Sequence, residues 1–353
     1  MFVTDLNLEN YRNYSKGSFS FCEGINVLEG PNAVGKTNLV EAVYFGAFGK
    51  SPRTSRDKEL IKWDEEYAKI SLKAQTKYRG LKISAMISKN GEKRIAVDGV
   101  GISKLGEFIG RLSVVFFSPD EIKMIKETPQ ERRKFMDISL SQQSKSYFYA
   151  LQRYNKILAN RNNVLKDSSF NKQLKDTLPV WNFQLAHEGA EIIERRKEFI
   201  EFIRPIVDDC HRRVAGPSSG LMVCYETSVK GENTEEELLK ALELNLEKDL
   251  RLGYTTVGPH RDDMVVLSEN VDLRSFGSQG QQRTASLALK LAETQVIELK
   301  TGEKPILILD DVLSELDPQR REHLLKQARV QQTLLTCTDY TEDKSIVSNF
   351  IRL

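Results

Sequence analysis

The chain has 353 residues, of which 40% are hydrophobic and 29% charged, and its formal net charge is +2. This composition excludes a largely disordered chain, and the length predicts two domains or one large α/β domain with an insertion. No apolar run approaches the ~18 residues of a membrane helix. The first residues lack a signal-peptide pattern, and the four cysteines form no CxxC pair. We therefore expect a soluble cytoplasmic protein with no membrane attachment.

The first third of the chain has the pattern of an α/β domain. Apolar and polar residues alternate over parts of residues 2–29 and 66–98, which predicts strands. Leu112–Phe117 is a further candidate for a buried strand. Asn38–Phe48 has apolar residues at helical spacing, so a helix is predicted between the first two groups of strands.

The middle of the chain is predicted to be helical. Apolar residues fall on one helical stripe from Pro129 to about Lys166, and a second helix is predicted over Val180–Arg213. The polar stretch Asp167–Pro179 separates them, so the two segments are interpreted as an antiparallel helical hairpin. Pro205 is expected to kink or end the second helix, because proline removes a backbone donor.

The sharpest motif lies between a short apolar run and the predicted helix Asn38–Phe48. It matches the phosphate-loop pattern G-x4-G-K-[ST], in which backbone amides and the N-terminal dipole of the helix bind phosphates. Lys36 is predicted to bridge the β- and γ-phosphates, and Thr37 to ligate Mg²⁺. A glycine-rich turn before a helix is the alternative. The predicted nucleotide-binding residues here are Gly30, Pro31, Asn32, Ala33, Val34, Gly35, Lys36, Thr37 and Asn38.

A second motif ends an apolar strand, Ile306–Leu309, with two carboxylates, Asp310 and Asp311. Such a run is typical of a strand buried on both faces of a sheet, and ligands of open α/β sheets bind at the carboxyl ends of strands. Asp310 is therefore predicted to hold Mg²⁺, directly or through water, and Asp311 to orient the attacking water. Asp311 and Lys36 are the predicted catalytic residues. Taken alone, the pattern also fits an acidic turn after a core strand.

A third segment, Ser275–Arg283, leads into an apolar helix, Ala285–Leu299. It resembles the signature loop of ABC-type ATPases, with Ser278, Gly280 and Gln281 in the places of its Ser, Gly and Gln. A serine hydroxyl and glycine amides at a helix N-terminus form an anion site. On these residues alone, a flexible loop that caps a core helix is the alternative.

The spacing of the motifs predicts a divided fold. Lys36 and Asp310 are 274 residues apart, which is too far for a compact nucleotide-binding unit without a large insertion. We therefore predict an α/β fold of the ABC-type ATPase head, a mixed sheet with flanking helices, split by a helical insertion domain. Residues 1–118 and 254–353 are predicted to form the head, and residues 119–253 the helical arm.

Taken together, these features resemble the RecF family of DNA-repair ATPases, which are relatives of SMC and Rad50 heads. The resemblance covers essentially the whole chain. One departure is Glu127-Thr128, where many members carry smaller residues, so the geometry before Pro129 is left open. The further segments that carry the resemblance are Asn10–Tyr14, Pro119–Glu121, Arg132–Asp137 and Gly258–Asp263.

The resemblance implies ATP and Mg²⁺ as cofactors and an ATP-dependent homodimer. Ser278 would act in trans, on the γ-phosphate bound to a second subunit, and Arg12 and Asn13 would lie beside the nucleotide. Hydrolysis is expected to be slow. Most ABC ATPases have Glu where this chain has Asp311, and they have a His after the last core strand, where Leu334–Asp339 has none. A weak ATPase of this kind serves as a switch or timer for a bound state.

The resemblance also implies a recombination mediator that binds single- and double-stranded DNA at gaps and assists recombinase loading in repair, replication and the SOS response. RecR/RecO-type mediator proteins would be its partners. Residues 50–94 carry 13 Lys/Arg against 6 Asp/Glu, residues 132–175 carry 10 against 2, and residues 226–250 carry 3 against 8. Solvated helix faces are the alternative explanation. Neither basic stretch has an aromatic platform, so contacts to the phosphate backbone with little sequence specificity are expected.

Two other classes fit the sequence less well. A nucleotide-binding subunit of a membrane transporter would have a shorter span between the ATP motifs, a Glu after Asp310 and a switch His. A structural ATPase of the SMC type would have a heptad insertion of hundreds of residues. His260 lies between Pro259 and Arg261, and we interpret it as a structural residue.

Overall fold

A computed structural model describes residues 1–167 and 172–353 of the chain. They form two compact units, the first comprising Met1–Ile122, Cys210–Pro217 and Ser286–Leu353, and the second Lys123–Asp209 and Ser218–Ala285. The predicted mixture of strands and helices is confirmed. The predicted division into a head, residues 1–118 and 254–353, and an arm, residues 119–253, stays a prediction. The compact units alone do not identify which part of the chain is a head and which is an arm.

The strands of the first unit form two sheets. Five parallel strands have the order β14-β3-β13-β12-β8, and six antiparallel strands have the order β2-β1-β4-β5-β6-β7. The strands are β1 (Phe2–Tyr11), β2 (Tyr14–Ser20), β3 (Ile25–Glu29), β4 (Tyr67–Gln75), β5 (Gly80–Ser88), β6 (Lys93–Val97), β7 (Val100–Gly101), β8 (Val114–Phe117), β12 (Ile306–Asp310), β13 (Thr333–Cys337) and β14 (Val347–Arg352).

The helix that follows the phosphate-loop motif is the centre of the first unit. This helix, α1 (Lys36–Phe48), contacts β4 and β5 of the antiparallel sheet and β8, β12 and β13 of the parallel sheet. From Leu39 onward the helix is buried on all sides, and its residues there are apolar except for Glu41. A Cβ atom at Gly46 would lie 3.1 Å from Leu72 Cδ1, so glycine allows the close approach of helix and sheet.

The second unit is mainly helical and has one small sheet, in the strand order β11-β10-β9. Its strands are β9 (Leu221–Glu226), β10 (Asp263–Ser268) and β11 (Val271–Asp272). The remaining helices of the described chain, in both units, are α2 (Leu105–Phe108), α3 (Lys123–Lys126), α4 (Pro129–Gln143), α5 (Lys145–Asp167), α6 (Leu178–Ala215), α7 (Thr234–Leu244), α8 (Leu246–Leu252), α9 (Leu273–Phe276), α10 (Gln279–Thr301) and α11 (Pro318–Ala328).

The predicted helical hairpin corresponds to α5 and α6, which run antiparallel. Arg153 of α5 pairs with Glu188 of α6 at 2.5 Å, and Arg161 Nε donates to Asn182 Oδ1 at 2.8 Å. Part of the predicted polar break, residues 168–171, lies outside the described residues. In the remainder, Lys172–Thr177 forms a 3₁₀ turn that leads into α6.

Pro205 was expected to kink or end the second predicted helix. It does not end the helix, because α6 continues to Ala215. Pro205 lies on the exposed side of the helix, and Glu201, whose carbonyl loses its helical partner, is exposed as well. Ile203 and Val207 are buried on either side of the proline. Apolar packing therefore holds the helix together across the lost hydrogen bond.

The segment before Pro129, whose geometry the sequence left open, is the short link between α3 and α4. Glu127 N donates to Lys123 O at 2.8 Å, which ends α3. Thr128 is extended, with a φ of −75° and a ψ of 157°, as is usual for a residue before proline. Pro129 then begins α4, where its missing donor costs nothing.

Arginines in the core of the second unit are paired with acids. Arg132 donates two hydrogen bonds to Asp263, at 2.7 and 2.8 Å, and Arg161 and Asp249 are both fully buried and 2.8 Å apart. His260 is half-buried: its Nδ1 lies 2.6 Å from the Tyr154 hydroxyl and its Nε2 lies 3.1 Å from Thr255 O. Burial lowers the pKa of His260 to about 4, so the ring is neutral near pH 7.

Replacing Arg161 with alanine should lower the free energy of unfolding by about 3–5 kcal/mol, because the Asp249 carboxylate would stay buried without a counter-charge. Chemical denaturation followed by circular dichroism measures the change. Arg153→Ala is the matched control, since its pair with Glu188 is half exposed and should contribute about 1 kcal/mol or less. Equal losses in the two variants would contradict the structural role of the buried pair.

Candidate functional site

The loop between β3 and α1 has a conformation that its sequence explains. Gly35 has a φ of 120° and Ala33 a φ of 66°, both in the left-handed region that glycine tolerates best. A Cβ atom at Gly35 would lie 2.7 Å from Asn13 Nδ2, and one at Gly30 would lie 2.9 Å from Leu353 O. The two glycines of the motif are therefore required by close contacts.

Lys36 is held inside this loop. It is buried, and its Nζ donates hydrogen bonds to Gly30 O at 2.6 Å and Pro31 O at 2.8 Å. Pro31, Asn32 and Ala33 are exposed, so solutes can approach the loop. A cation and the free amides at the start of α1 thus lie at one open loop, and this arrangement fits a phosphate chain.

Asp310 joins two segments that are distant in the sequence. Its Oδ1 accepts hydrogen bonds from Thr37 Oγ1 at 3.0 Å and from Thr336 Oγ1 at 2.8 Å. Burial raises the pKa of Asp310, and the two hydroxyl groups partly offset this effect. Thr336 is paired with Asp310 in the register of β12 and β13. The sequence analysis missed Thr336, because this contact depends on the order of strands.

Asp311 lies next to this cluster, at the surface. Its backbone N donates to Thr336 Oγ1 at 2.9 Å, and its carbonyl accepts from Ser314 Oγ at 2.8 Å. Its φ is 55°, in the left-handed region, which Asp adopts more readily than most residues. The backbone therefore holds the Asp311 side chain at the exposed carboxyl end of β12.

The oxygen atoms of Thr37 and Asp310 fit a magnesium ion. Mg²⁺ is usually bound through one or two carboxylates together with waters and substrate phosphates. Within residues 1–167 and 172–353, no cluster of three or more His, Cys, Asp or Glu residues is arranged to hold a metal. A protein-only metal cage is therefore not found in this part of the chain, whereas the small donor set suits an ion shared with phosphate.

The turn between β1 and β2 lies against the phosphate loop. Asn13 Nδ2 donates to Val34 O at 2.8 Å, and its Oδ1 accepts from Asn38 Nδ2 at 2.9 Å. Arg12 instead makes two hydrogen bonds, at 2.8 and 2.7 Å, to Glu41, which is fully buried in α1. Asn13 and Asn38 thus hold the loop, whereas Arg12 fixes the helix behind it.

Arg53 is a further cation at this site that the sequence analysis missed. Its Nη1 donates to Asn38 Oδ1 at 3.0 Å and lies 3.7 Å from Glu41 Oε2, and its side chain is 47% exposed. Its charge also works to lower the pKa of Asp310. The available signal was its position in the basic stretch 50–94, but no spacing rule connects it to the phosphate loop.

Ser278, Gly280 and Gln281 form a separate cluster in the second unit, at the start of α10. Ser278 N donates to Gln281 Oε1 at 2.9 Å, and Gln281 N donates to Ser278 Oγ at 3.3 Å, which is a reciprocal helix cap. Ser278 and Gln281 are exposed. Gln282 is buried and donates to Leu273 O at 2.8 Å, which fixes the loop. The helix N-terminus is therefore rigid and accessible.

The fold agrees with comparisons to known proteins. The family model described as "RecF/RecN/SMC N terminal domain" matches residues 2–344. A solved Smc head bound to the C-winged helix domain of ScpA has a TM-score of 0.59 at 16% identity, covering 100% of this chain and 94% of that chain, and it supports the fold alone. The fold and the loop define the chain as an ATPase head of the RecF/RecN/SMC class, which confirms the predicted fold class.

Relatives within this class show to which of its families the chain belongs. The DNA replication and repair protein RecF of Clostridium botulinum (strain Alaska E43 / Type E3) is 44% identical and covers 99% of this chain and 98% of its own length. The protein of that name from Agathobacter rectalis is 42% identical, with 97% and 93% covered. A solved structure of "the recombination mediator protein RecF-ATPrS in RecFOR pathway" has a TM-score of 0.93 at 36% identity, with 100% and 96% covered. The chain belongs to the RecF family.

A helix that spans a bilayer needs about 20 predominantly apolar residues. None of the helices within residues 1–167 and 172–353 is long and apolar enough to cross a membrane.

Replacing Asp310 with asparagine should raise the melting temperature of the nucleotide-free protein near pH 7.5. Because the folded-state pKa of Asp310 is raised, ionisation costs stability, while asparagine keeps the Oδ1 acceptor for Thr37 and Thr336. Each kcal/mol gained corresponds to roughly 2–4 °C. The gain should shrink as the pH falls through the raised pKa, because the wild-type carboxyl group then becomes protonated. Differential scanning calorimetry measures both effects.

Asp317→Asn is the control for this experiment. Asp317 is a helix cap whose pKa is lowered by the backbone amide of Arg320, so loss of its charge should not stabilise the protein near neutral pH. A lower melting temperature for Asp310→Asn than for the wild type near pH 7.5 would show that the charge of Asp310 does not destabilise the nucleotide-free protein.

Proposed function

We propose that the chain is an ATP-dependent, DNA-binding recombination mediator that acts in the cytoplasm in DNA repair, DNA replication and the SOS response. The single observation that carries the proposal is the link from Thr37 through Asp310 to Thr336 beside the loop around Lys36. Solved relatives titled RecF-ATP and RecF-ATPrS support ATP as the nucleotide.

Each residue of the site has a role in this proposal. Lys36 exchanges its contacts with Gly30 O and Pro31 O for phosphate oxygens, and Thr37 and Asp310 hold the Mg²⁺. When bound, Mg²⁺ supplies positive charge that offsets the charge of the phosphates. Asp311 orients the attacking water at the surface. Arg53 adds a cation that can reach the phosphates, since its side chain is half exposed.

Binding of ATP is proposed to close a head-to-tail homodimer. The exposed N-terminus of α10, with Ser278 Oγ and the Gly280 amide, is an anion site that would face the γ-phosphate held by a second copy. A Cβ atom at Gly280 would meet nothing closer than 4.0 Å within the chain. Packing within this chain therefore does not require the glycine, whereas a close approach by phosphate would.

Hydrolysis is proposed to be slow and to serve as a timer. The Asp311 carboxylate is one methylene shorter than the Glu found in most ABC ATPases. The segment from Leu334 to Asp339 supplies Thr336 to the site but contains no histidine. The ATP-bound dimer would consequently persist long enough to hold DNA at gap junctions and to engage RecR/RecO-type mediator proteins.

The two predicted basic stretches contribute differently to DNA binding. In residues 132–175, Arg132 and Arg161 are buried in ion pairs and cannot reach a phosphate. Residues 168–171 of that stretch lie outside the described residues. In residues 50–94, by contrast, many cations are exposed on the first unit. We therefore assign DNA contacts to the first stretch ahead of the second.

Ser278→Arg should abolish ATP-induced dimerisation while leaving nucleotide binding by the monomer intact. Lys36→Arg should prevent both, because it changes the cation inside the phosphate loop. Sedimentation velocity with and without ATP measures dimerisation, and a fluorescent ATP analogue measures binding. Ser275→Arg, three residues upstream and also exposed, is the matched control and should dimerise. Dimerisation of Ser278→Arg with ATP would refute the action of Ser278 in trans.

Binding to duplex DNA in the presence of ATP should weaken steeply with salt. If about five phosphates are neutralised, the slope of log K against log salt concentration should be near −4. Fluorescence anisotropy of a labelled duplex, titrated at several salt concentrations, measures the slope. Two duplexes of unrelated sequence should give similar affinities. A flat salt dependence would contradict binding through the phosphate backbone.

A further inference from the structure

The antiparallel sheet of the first unit has a solvent face that the nucleotide site does not use. Ile70, Leu72 and Ile83 are buried on its inner side. Because side chains alternate along a strand, the intervening residues form the other side. We call this surface the outer sheet face, and we define it by its cations, which are all exposed: Lys16 of β2, Lys69 and Lys73 of β4, Lys82 of β5 and Arg94 of β6.

The register of the strands brings like charges together on this face. Lys73 of β4 is directly opposite Lys82 of β5, an arrangement that destabilises a sheet when nothing compensates it. Among the described residues, neither ammonium group is in an ion pair. The nearby Asp98 accepts from the backbone N of Lys82 at 2.8 Å and pairs with Arg79 at 3.2 Å. Asp5 of β1 is directly opposite Lys73 on its other side, so Lys82 is the less compensated of the two cations. An anion from outside the chain would relieve the repulsion that remains.

The carboxylates of the face are already engaged. Glu9 accepts from the Tyr67 hydroxyl at 2.6 Å and from Lys69 at 3.3 Å, and these bonds lower the pKa of Glu9. Asp5, the other carboxylate on the outward side of β1, accepts from Thr4 Oγ1 at 2.9 Å and from Ser20 Oγ at 3.4 Å. Of the five cations, Lys69 pairs with Glu9 at 3.3 Å and Arg94 with Glu92 at 3.2 Å, and the face keeps an excess of positive charge at Lys16, Lys73 and Lys82.

The rest of the face carries small polar groups, some of which line a depression across β1, β2 and β4. Asn7, Ser18, Ser71 and Ser84 lie in one row across β2, β1, β4 and β5, as the register shows. Short hydroxyl and amide side chains allow the backbone of a nucleic acid to come close. They can also donate hydrogen bonds to its phosphate oxygens. Lys69 and Lys73 are four residues apart, or about 13 Å along the strand, which matches roughly four base pairs of duplex rise.

We propose that the outer sheet face binds the phosphate backbone of double-stranded DNA. This inference rests on the proposed function and adds to it the surface at which DNA binds. A duplex fits better than a single strand, because single strands are held mainly by exposed aromatic rings. Tyr67, the aromatic residue beside Lys69, is instead engaged with Glu9 and lies under the Lys69 ammonium group. Charge complementarity therefore carries the recognition.

The test compares two double variants of the full chain, loaded with ATP, on a labelled 30-base-pair duplex. Lys73→Gln with Lys82→Gln should weaken binding by on the order of tenfold near 0.1 M salt and reduce the salt slope by roughly 2, since about 0.9 is lost per phosphate. Lys104→Gln with Lys326→Gln changes net charge equally at exposed sites outside the face and should keep the wild-type slope. Lys73→Arg with Lys82→Arg should bind as the wild type does.

Folding and nucleotide binding are measured in parallel. Removal of the opposed lysines should leave the melting temperature unchanged or higher, because a repulsion is lost. If the wild type fails to bind DNA with ATP at low salt, the proposed function itself is wrong. If the wild type binds and the Lys73/Lys82 variant keeps its affinity and slope, only the location is wrong. An equal loss on a 30-nucleotide single strand would overturn the assignment to duplex DNA.

Discussion

The hydrogen bonds at Asp310 Oδ1 are the constraint on which the rest of the site depends. This one oxygen accepts from Thr37 at the start of α1 and from Thr336 in β13, so it ties the phosphate loop to the two central strands of the parallel sheet. The register of β12 with β13 places Thr336 opposite Asp310, and the same Thr336 hydroxyl fixes the backbone of Asp311. Burial of the carboxylate costs stability in the free protein, and a metal ion with its phosphates would recover that cost.

The burial of α1 explains why the two sheets serve different purposes. Because α1 packs against both sheets, the parallel sheet presents the carboxyl ends of its strands to the nucleotide site. The antiparallel sheet uses its inner side for the same helix and leaves its outer side to solvent. One buried helix thereby separates the edge that carries the phosphate loop from the sheet face that we propose for DNA binding. Gly46, which faces Leu72, is the point where the helix and the antiparallel sheet come closest to a steric limit.

Local patterns predicted the parts of the molecule whose determinants are local. The phosphate loop, the apolar run before Asp310 and the cap at Ser278 each depend on residues a few positions apart. Thr336 and Arg53 could not be found in this way, because strand order and side-chain reach bring them to the site. The basic stretch 132–175 shows a related difficulty: Arg132 and Arg161 pair with acids 131 and 88 residues away, whereas other cations of the stretch, such as Lys145 and Lys156, are exposed. Charge counted along a sequence does not reveal which arginines are buried.

The part of α10 that lies in the first unit carries a buried ion cluster. Lys290 Nζ lies 3.1 Å from Glu293 and 3.4 Å from Glu121, and all three side chains are largely buried. Burial, followed by the charges of Glu121 and Glu293, raises the pKa of Tyr44 in α1. Separation of such an ion cluster would leave buried charges unpaired, so this part of α10 resists displacement from its partners. Buried charges therefore hold residues 286–301 of this helix within the first unit.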